Sequence, residues 1–189
     1  GFEDANMLVA QTGIVEGKFT RVTGTAWLDG AVERLRGMPG VEDASYAFGA
    51  PLTLRSGMTS GADLVINGKL PAVHAVYQDS WVGPGYFKVM GIRVVAGREF
   101  GEDDRRGGRV VVAVNEEFVR RYLPNEEPIG AQVRLPGPTA AGYPAEVVAV
   151  VRNGKYRSLG ESQQAAVYEV YGQRVHQHRF AHIFVRSLP

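Results

Sequence analysis

The densest group of potential metal ligands in the chain is His176, His178 and His182, spaced H-x-H-x3-H. Residues two apart on a strand share a face, so two imidazoles could reach one ion, with His182 as the third candidate. The surroundings read instead as a polar loop. Gln173, Arg174, Gln177 and Arg179 interleave with the histidines, and no carboxylate follows nearby to orient a ring. Structural zinc normally takes four ligands, often thiolates, and the chain has no Cys. That absence also removes a cysteine nucleophile and a disulfide framework. The remaining histidine, His74, lies in a hairpin strand, where a hydrogen-bonded structural role is expected.

Glu102, Asp103 and Asp104 could be paired catalytic acids or hard-cation ligands. Adjacent carboxylates on a loop point apart, however, and the spacing lacks the calcium-loop pattern. A solvated turn in which an Asp caps local backbone donors is the simpler reading. Arg105, Arg106 and Arg109, beside two glycines, could meet a phosphate, but the flanking acids cancel most of their charge. Lys18, Lys69 and Lys155 each follow a Gly, yet the next residues are Phe19, Leu70 and Tyr156. A phosphate loop needs Ser or Thr there to hold magnesium. The familiar serine-nucleophile signatures are missing too. These residues suggest no enzyme, no resident cofactor and no metal.

The elements that would position such residues follow from pattern. Leu8–Ile14 reads as a short strand. A helix is expected from Thr25 to Gly37, with Leu28, Val32 and Leu35 on one face, Thr23 or Thr25 as cap, and Pro39-Gly40 as stop. Ala44, Tyr46 and Phe48 alternate with Asp43, Ser45 and Ala47 as a half-buried strand. Residues 49–61 form a loop. A hairpin follows, Asp63–Ile66 and Val73–Gln78 around Asn67-Gly68, with Pro71 keeping its return strand at an edge. A second helix runs from Pro84 to Met90 and stops at Gly91, and a strand spans Ile92–Ala96. Val110–Val114 is apolar throughout, a strand buried on both faces. Asn115 caps a third helix that Pro124 closes. Strands at 131–135, 146–151, 166–171 and 182–186 complete the chain. Three short helices and about nine strands, segregated rather than alternating, make an α+β fold.

Composition sets the outer limits. With 21 Lys+Arg against 20 Asp+Glu, the net charge of +1 creates no long-range field to gather nucleic acid. At 44% apolar, 189 residues can bury roughly 70% of the unfolded surface, enough for a core without staples. The longest apolar runs, 110–114 and 147–151, are far shorter than the about 20 residues that a bilayer span requires. No stretch reads as a signal peptide. Position 1 is Gly rather than Met, so a segment of a longer chain is expected.

Several motifs then occur in a fixed order: Val82-Gly-Pro-Gly-Tyr-Phe-Lys-Val-Met-Gly-Ile92, Ala96-Gly-Arg-Glu-Phe100 with Asp103, and Val110-Val-Val-Ala-Val-Asn-Glu116. Leu123-Pro with Pro128-Ile-Gly130, Val147–Val151 and Ala166-Val-Tyr168 continue the order, and Arg34–Val41 supplies a matching first helix and turn. Together they resemble the MacB-like periplasmic core domain of FtsX-type ABC transporter permeases, over nearly the whole chain. The similarity is greatest to the large-permease branch.

The resemblance implies a domain outside the cytoplasmic membrane, between the first two transmembrane helices of a permease. Its implied partners are those helices, a cytoplasmic ABC ATPase acting indirectly, a periplasmic adaptor and a second copy in a dimer. It implies a porter-like lobe (1–70 with 165–189) and a smaller inserted lobe (71–164). Pro84, Gly91, Gly97, Arg98, Phe100, Asp103, Asn115 and Gly130 are carried over as structural motif residues, not catalytic ones. Gly83 stands where relatives often place a Ser cap. The function implied is a non-catalytic mechanical or interaction module of transport, with a ligand-sensing or substrate-capturing domain as the alternative.

Such a layout constrains geometry. Packed helices lie about 8–10 Å apart and each linker residue reaches ~3.3–3.6 Å, so the first and last strands should have outer ends within roughly 25 Å. They should emerge from one end of the body. The chain should also hydrolyse neither ATP nor simple esters. Turnover above a buffer blank that one substitution abolishes would overturn that expectation.

Overall fold

The computed structural model describes residues 6–13, 21–49, 58–69, 72–105, 108–137, 142–156, 158, 160–173 and 180–188. Its elements are β1 (Met7–Gly13), α1 (Arg21–Arg36), β2 (Val41–Phe48), β3 (Met58–Ile66), β4 (Val73–Val82), α2 (Tyr86–Val89) and β5 (Val94–Gly97). A 3-10 turn at Glu102–Arg105 precedes β6 (Val111–Asn115), α3 (Glu116–Tyr122), β7 (Gln132–Leu135), β8 (Tyr143–Val151), β9 (Ala166–Val170) and β10 (Phe180–Ser187). The fold is α+β, with helices set against a mixed sheet.

The ten strands among the described residues belong to one sheet, and part of that sheet closes on itself. β4 pairs with β3, β3 with β7, β7 with β8, β8 with β6, β6 with β9, and β9 with β4. Alternate residues of these six strands turn inward to a common core: Leu64 and Ile66, Ala75 and Tyr77, Val112 and Val114, Val133 and Leu135, Ala145 and Val147, and Val167. Phe118 and Leu123 join the same core from α3 and the residue after it. The period-2 alternation thus becomes the inside of a closed ring.

Beyond the ring, β2 continues along the edge of β4, followed by β10 and β1. β10 lies between β1 and β2, antiparallel to both, so β1-α1-β2 is a split β-α-β unit. α1 covers one face of this extension through Leu28 and Val32 against Tyr46, Ala181 and Ile183. α2 covers the other through Tyr86, Phe87 and Met90 against Ala47 and Phe184.

Several elements depart from pattern. α1 begins at Arg21, so Thr23 and Thr25 lie within it rather than capping it. β2 is buried on both faces rather than one: Asp43, Ser45 and Ala47 lie under α2, and the polar pair finds partners there. β3 starts at Met58, inside the expected loop. Asn67 (φ 50°) and Gly68 (φ 71°) do form the turn, with Lys69 N–H donating to Ile66 O. The tight hairpin does not follow, because Val65 and Ile66 pair with β7 instead of β4. Pro71 lies outside the described residues. β3 and β4 pair from Met58↔Asp79 to Leu64↔Val73, across the expected boundary at 70/71. α2 starts at Tyr86, later than Pro84, and its end matches expectation: Gly91 (φ 61°) donates to Lys88 O and Ile92 N–H to Phe87 O, a Schellman close.

Two glycines test the backbone. At Gly97 (φ +78°) a Cβ would sit 2.1 Å from the Val148 carbonyl oxygen; at Gly130 (φ +85°) it would meet nothing within 4 Å. Gly97→Ala should therefore cost more than about 3 kcal/mol, adding a backbone clash to strain. Gly130→Ala should cost only about 1–2 kcal/mol, the strain alone. Urea denaturation of the two variants checks the ranking, and equal losses would contradict it.

Candidate functional site

Gly97, Arg98, Phe100 and Gly130 meet at β8. Arg98 N–H donates to Val148 O and Gly130 N–H to Val147 O, so the Gly97 and Gly130 turns grip consecutive carbonyls of one strand. Phe100 packs beside Val111, Val148 and Val170, and its ring lies 5.7 Å from that of Phe87. Arg98 donates from Nη1 and Nη2 to the two carboxylate oxygens of Asp104, at 2.7 and 2.9 Å. Asp104 Oδ2 also accepts from Gly101 N–H at 2.7 Å. Asp103, the motif acid, is exposed, and it is the buried Asp104 that engages Arg98.

Asn115 sits at the end of β6 with no exposed surface. Its Oδ1 accepts from Phe118 N–H, capping α3, and from Ala166 N–H at the start of β9; its Nδ2 donates to Gln164 O. One amide thus joins a helix start to the connection into the next ring strand. Pro84 O accepts from Ser45 Oγ and Arg36 Nη2. Gly83 needs no cap explanation, because a Cβ there would stand 2.8 Å from the Tyr46 ring.

Contacts far apart in sequence complete the frame. Asp29 on α1 accepts from Tyr46 OH at 2.7 Å and from Arg105 Nη1 at 2.6 Å. Gln173 donates to Asp104 O and Arg109 O. Neither has a local signature: Asp29 and Arg105 are 76 residues apart. Arg105 is a tie between elements rather than a free surface cation, and Arg109 pairs with Glu146. Arg106 lies outside the described residues.

The ionisable groups are engaged structurally. Arg98 first, with the Gly101 amide, holds Asp104 below the ordinary carboxylate value against burial. Burial opposes ionisation of Asp43, but hydrogen bonds from Lys88, the Ala44 amide and Arg36 outweigh it and lower its pKa. Burial pushes Tyr156 up to about 12, and its hydroxyl lies 2.7 Å from that of Tyr168. His182 is buried on β10 between Phe180 and Phe184. Burial lowers its pKa, and its Nδ1 finds no hydrogen-bond partner among the described residues. His176 and His178 lie outside those residues. His74 Nδ1 lies 2.9 Å from Asp63 Oδ1 across the β3–β4 ladder. Among the described residues no three His, Asp or Glu side chains form a metal cluster.

The geometry with the widest consequence is at the sheet's outer edge. β1 and β10 run antiparallel with Met7 opposite Arg186 and Leu8 opposite Val185, and Ser187 N–H donates to Asn6 O at 2.9 Å. Neighbouring strands lie about 4.8 Å apart, well inside the roughly 25 Å allowed. β1 therefore enters where β10 leaves. From that end β2 runs from Val41 to Phe48, which meets Trp81, and β4 continues away to Val73 over about 30 Å of strand.

A family model of the MacB-like periplasmic core domain matches residues 2–186. The chain belongs to this family. The fold is shared with the periplasmic region of MacB from Actinobacillus actinomycetemcomitans, at 18% identity and TM-score 0.59, covering 97% of this chain and 75% of that one. A domain of a putative permease from Porphyromonas gingivalis matches at 14% identity and TM-score 0.56, covering 100% and 78%. The extracellular domain of the noncanonic ABC-type transporter YknZ from Gram-positive bacteria matches at 14% and 0.55, covering 97% and 84%. No curated protein sequence matches. No described helix is long and apolar enough to cross a membrane.

One carboxylate of this MacB-like domain carries a pH signature. Arg120 first, then Arg121, hold Glu117 at about 2, against 4.5 for a free glutamate. A depressed carboxylate adds stability above the unfolded value, and that stability drains as pH falls from 4.5 towards about 2. Arg120 is largely exposed, so solvent screening limits the effect to about 1 kcal/mol. Glu117→Gln should lose that amount near neutral pH and show a shallower acid transition in urea melts. An unchanged acid slope would contradict the assignment.

Proposed function

We propose that this chain is the extracytoplasmic domain of an ABC-type permease, serving transport as a non-catalytic mechanical and interaction module. The observation that carries the reading is the β1–β10 pairing, Met7 opposite Arg186. A domain inserted between two consecutive membrane helices must leave and return to the same surface, and adjacent antiparallel outer strands meet that demand directly. Close ends are common in many domains. Family membership over residues 2–186 adds the specificity that proximity lacks.

The lobe division that fits the pairings puts β1, α1, β2 and β10 nearest the bilayer and the six-stranded ring beyond them, with β4 and β9 shared. Motion of the membrane helices would enter through β1 and β10. It would reach the ring through β4 and through the Asp29–Arg105 ion pair, which ties α1 to the turn before β6. The motif residues act here as the frame that keeps β8 and its neighbours in register. The partners in this reading are the permease's own helices, a cytoplasmic ATPase reached through them, a periplasmic adaptor and a second copy.

The location is tested with a single thiol, since these 189 residues contain no Cys. Val73, 44% exposed at the start of β4, is replaced by Cys in a cysteine-free full-length permease. A membrane-impermeant maleimide should label it in intact cells or spheroplasts. Labelling only after the membrane is opened would overturn the reading.

A further inference from the structure

Two arginines stand opposite each other where the pairing of β5 with β8 ends. Val94 is the partner of Val151, and one step further Arg152 N–H donates to Arg93 O at 2.9 Å. Residues directly opposite on antiparallel strands share a face, with Cβ atoms about 4.5–5.5 Å apart. Val94 and Val151 turn toward the core under α2, so Arg93 and Arg152 turn to the other face, where both are exposed. Like charges directly opposite destabilise a sheet. Neither guanidinium has a carboxylate partner among the described residues to offset that repulsion.

Elsewhere in the fold arginines are matched with acids: Arg98 holds Asp104, Arg109 holds Glu146, and Arg120 and Arg121 share Glu117. The acids that reach the 152–156 segment are engaged by backbone instead. Glu116 accepts from Asn153 N–H, and Glu161 accepts from Tyr156 N–H. Lys155 adds a further cation to the segment, with its Nζ on Glu161 O. Val95, 42% exposed at the irregularity in β5, lies two residues from Arg93. The surface here is a positive pair without its counter-charge, next to an exposed apolar side chain.

We infer that Arg93 and Arg152 form a binding site for a carboxylate on an acidic segment of a protein partner. Two guanidinium forks on adjacent strands can each donate to one carboxylate, whose charge removes the repulsion between them. A lipid phosphate would suit the same donors, so position decides between the two. β4 runs from Val73 toward β2, β9 runs parallel to it, β6 antiparallel to β9, and β8 parallel to β6. Arg152, one residue past the end of β8, therefore lies on the side of the ring away from β1 and β10. The choice of protein over lipid rests on the permease reading, which puts the bilayer at the β1 and β10 end.

The experiment titrates full-length permease, in phosphatidylcholine nanodiscs, with the fluorescent peptide Thr-Glu-Val-Glu-Val-Glu-Thr and with its Gln-for-Glu counterpart. Anisotropy should show the acidic peptide bound at least about fivefold more tightly, a preference that fades as salt is added. Arg93→Gln and Arg152→Gln should each erase most of that preference. Arg34→Gln, which removes an exposed arginine on α1, should leave it unchanged. Reversal of both charges, Arg93→Glu with Arg152→Glu, should turn the preference toward the Lys-for-Glu peptide, showing that the surface is still folded. The proposal is overturned if the unaltered permease shows no preference for the acidic peptide. It is equally overturned if the preference survives both single substitutions, or if Arg34→Gln lowers it as much. Vesicles of phosphatidylglycerol are the second probe. Loss of vesicle binding in the two variants, with peptide binding intact, would make this a lipid site and overturn the proposal. The impermeant labelling of Val73→Cys keeps the two failures apart. If that thiol is reached from outside and the peptide is not discriminated, only the arginine site is wrong. If it is not reached from outside, the permease reading has failed.

Discussion

Strand β4 has different neighbours along its two edges, and the architecture depends on that arrangement. On one edge it pairs first with β3, from Val73 to Asp79, and then with β2 at Trp81 and Val82. On the other it pairs with β9, but only from Gln78 onward. The pairings with β3 and β9 close the six-stranded ring, and the pairing with β2 attaches the ring to the outer sheet. Where β9 has not yet begun, the hydroxyl of Tyr122 accepts from Val76 N–H and donates to Val76 O. A single side chain there does what the next strand would have done. Unpaired backbone groups are costly in any buried setting, so a strand serving two lobes must be satisfied along its whole length.

The two lobes are joined by more than a strand. α2 lies across the seam, with Phe87 and Tyr86 packed against Tyr168 of β9 and Phe184 of β10. Arg186 donates to Val89 O, tying the end of β10 to the same helix. On the opposite face α1 reaches the 102–105 turn through Asp29 and Arg105. The outer strands are therefore joined to the ring by packing on one side and an ion pair on the other. Under the proposed function, that arrangement would suit a module that transmits motion.

Much of the local structure was legible. Val110–Val114 is apolar at every position because Val112 and Val114 face the ring core while Ala113 faces α2. Asn115 and Gly91 mark a helix start and a helix stop through backbone chemistry that operates within a few residues. β2 was harder. Its polar alternation, Asp43 and Ser45, looked like a solvated face, and only the arrival of α2 with Lys88 and the Pro84 carbonyl shows how those groups can be buried. The partner of Arg98 is likewise not legible in the sequence. Asp103 and Asp104 are neighbours of the same type, and which one meets Arg98 depends on the phase of a 3-10 turn.

From the sequence alone, this protein's class, the stop of α2, the start of α3, the buried strand at 110–114 and its family were determined, because propensity, capping and alternation act over a few residues and leave a local trace. The tertiary structure alone decided that β3 leaves β4 for β7 after Leu64, that six strands close into a ring, and that Asp29 finds Arg105. It also decided that β1 lies against β10. These are contacts between residues tens to well over a hundred positions apart. Backbone hydrogen bonds carry no residue identity, so nothing in the types of Leu8 or Val185 announces that they face each other. Their pairing follows only when the whole sheet is assembled and each edge has found its neighbour.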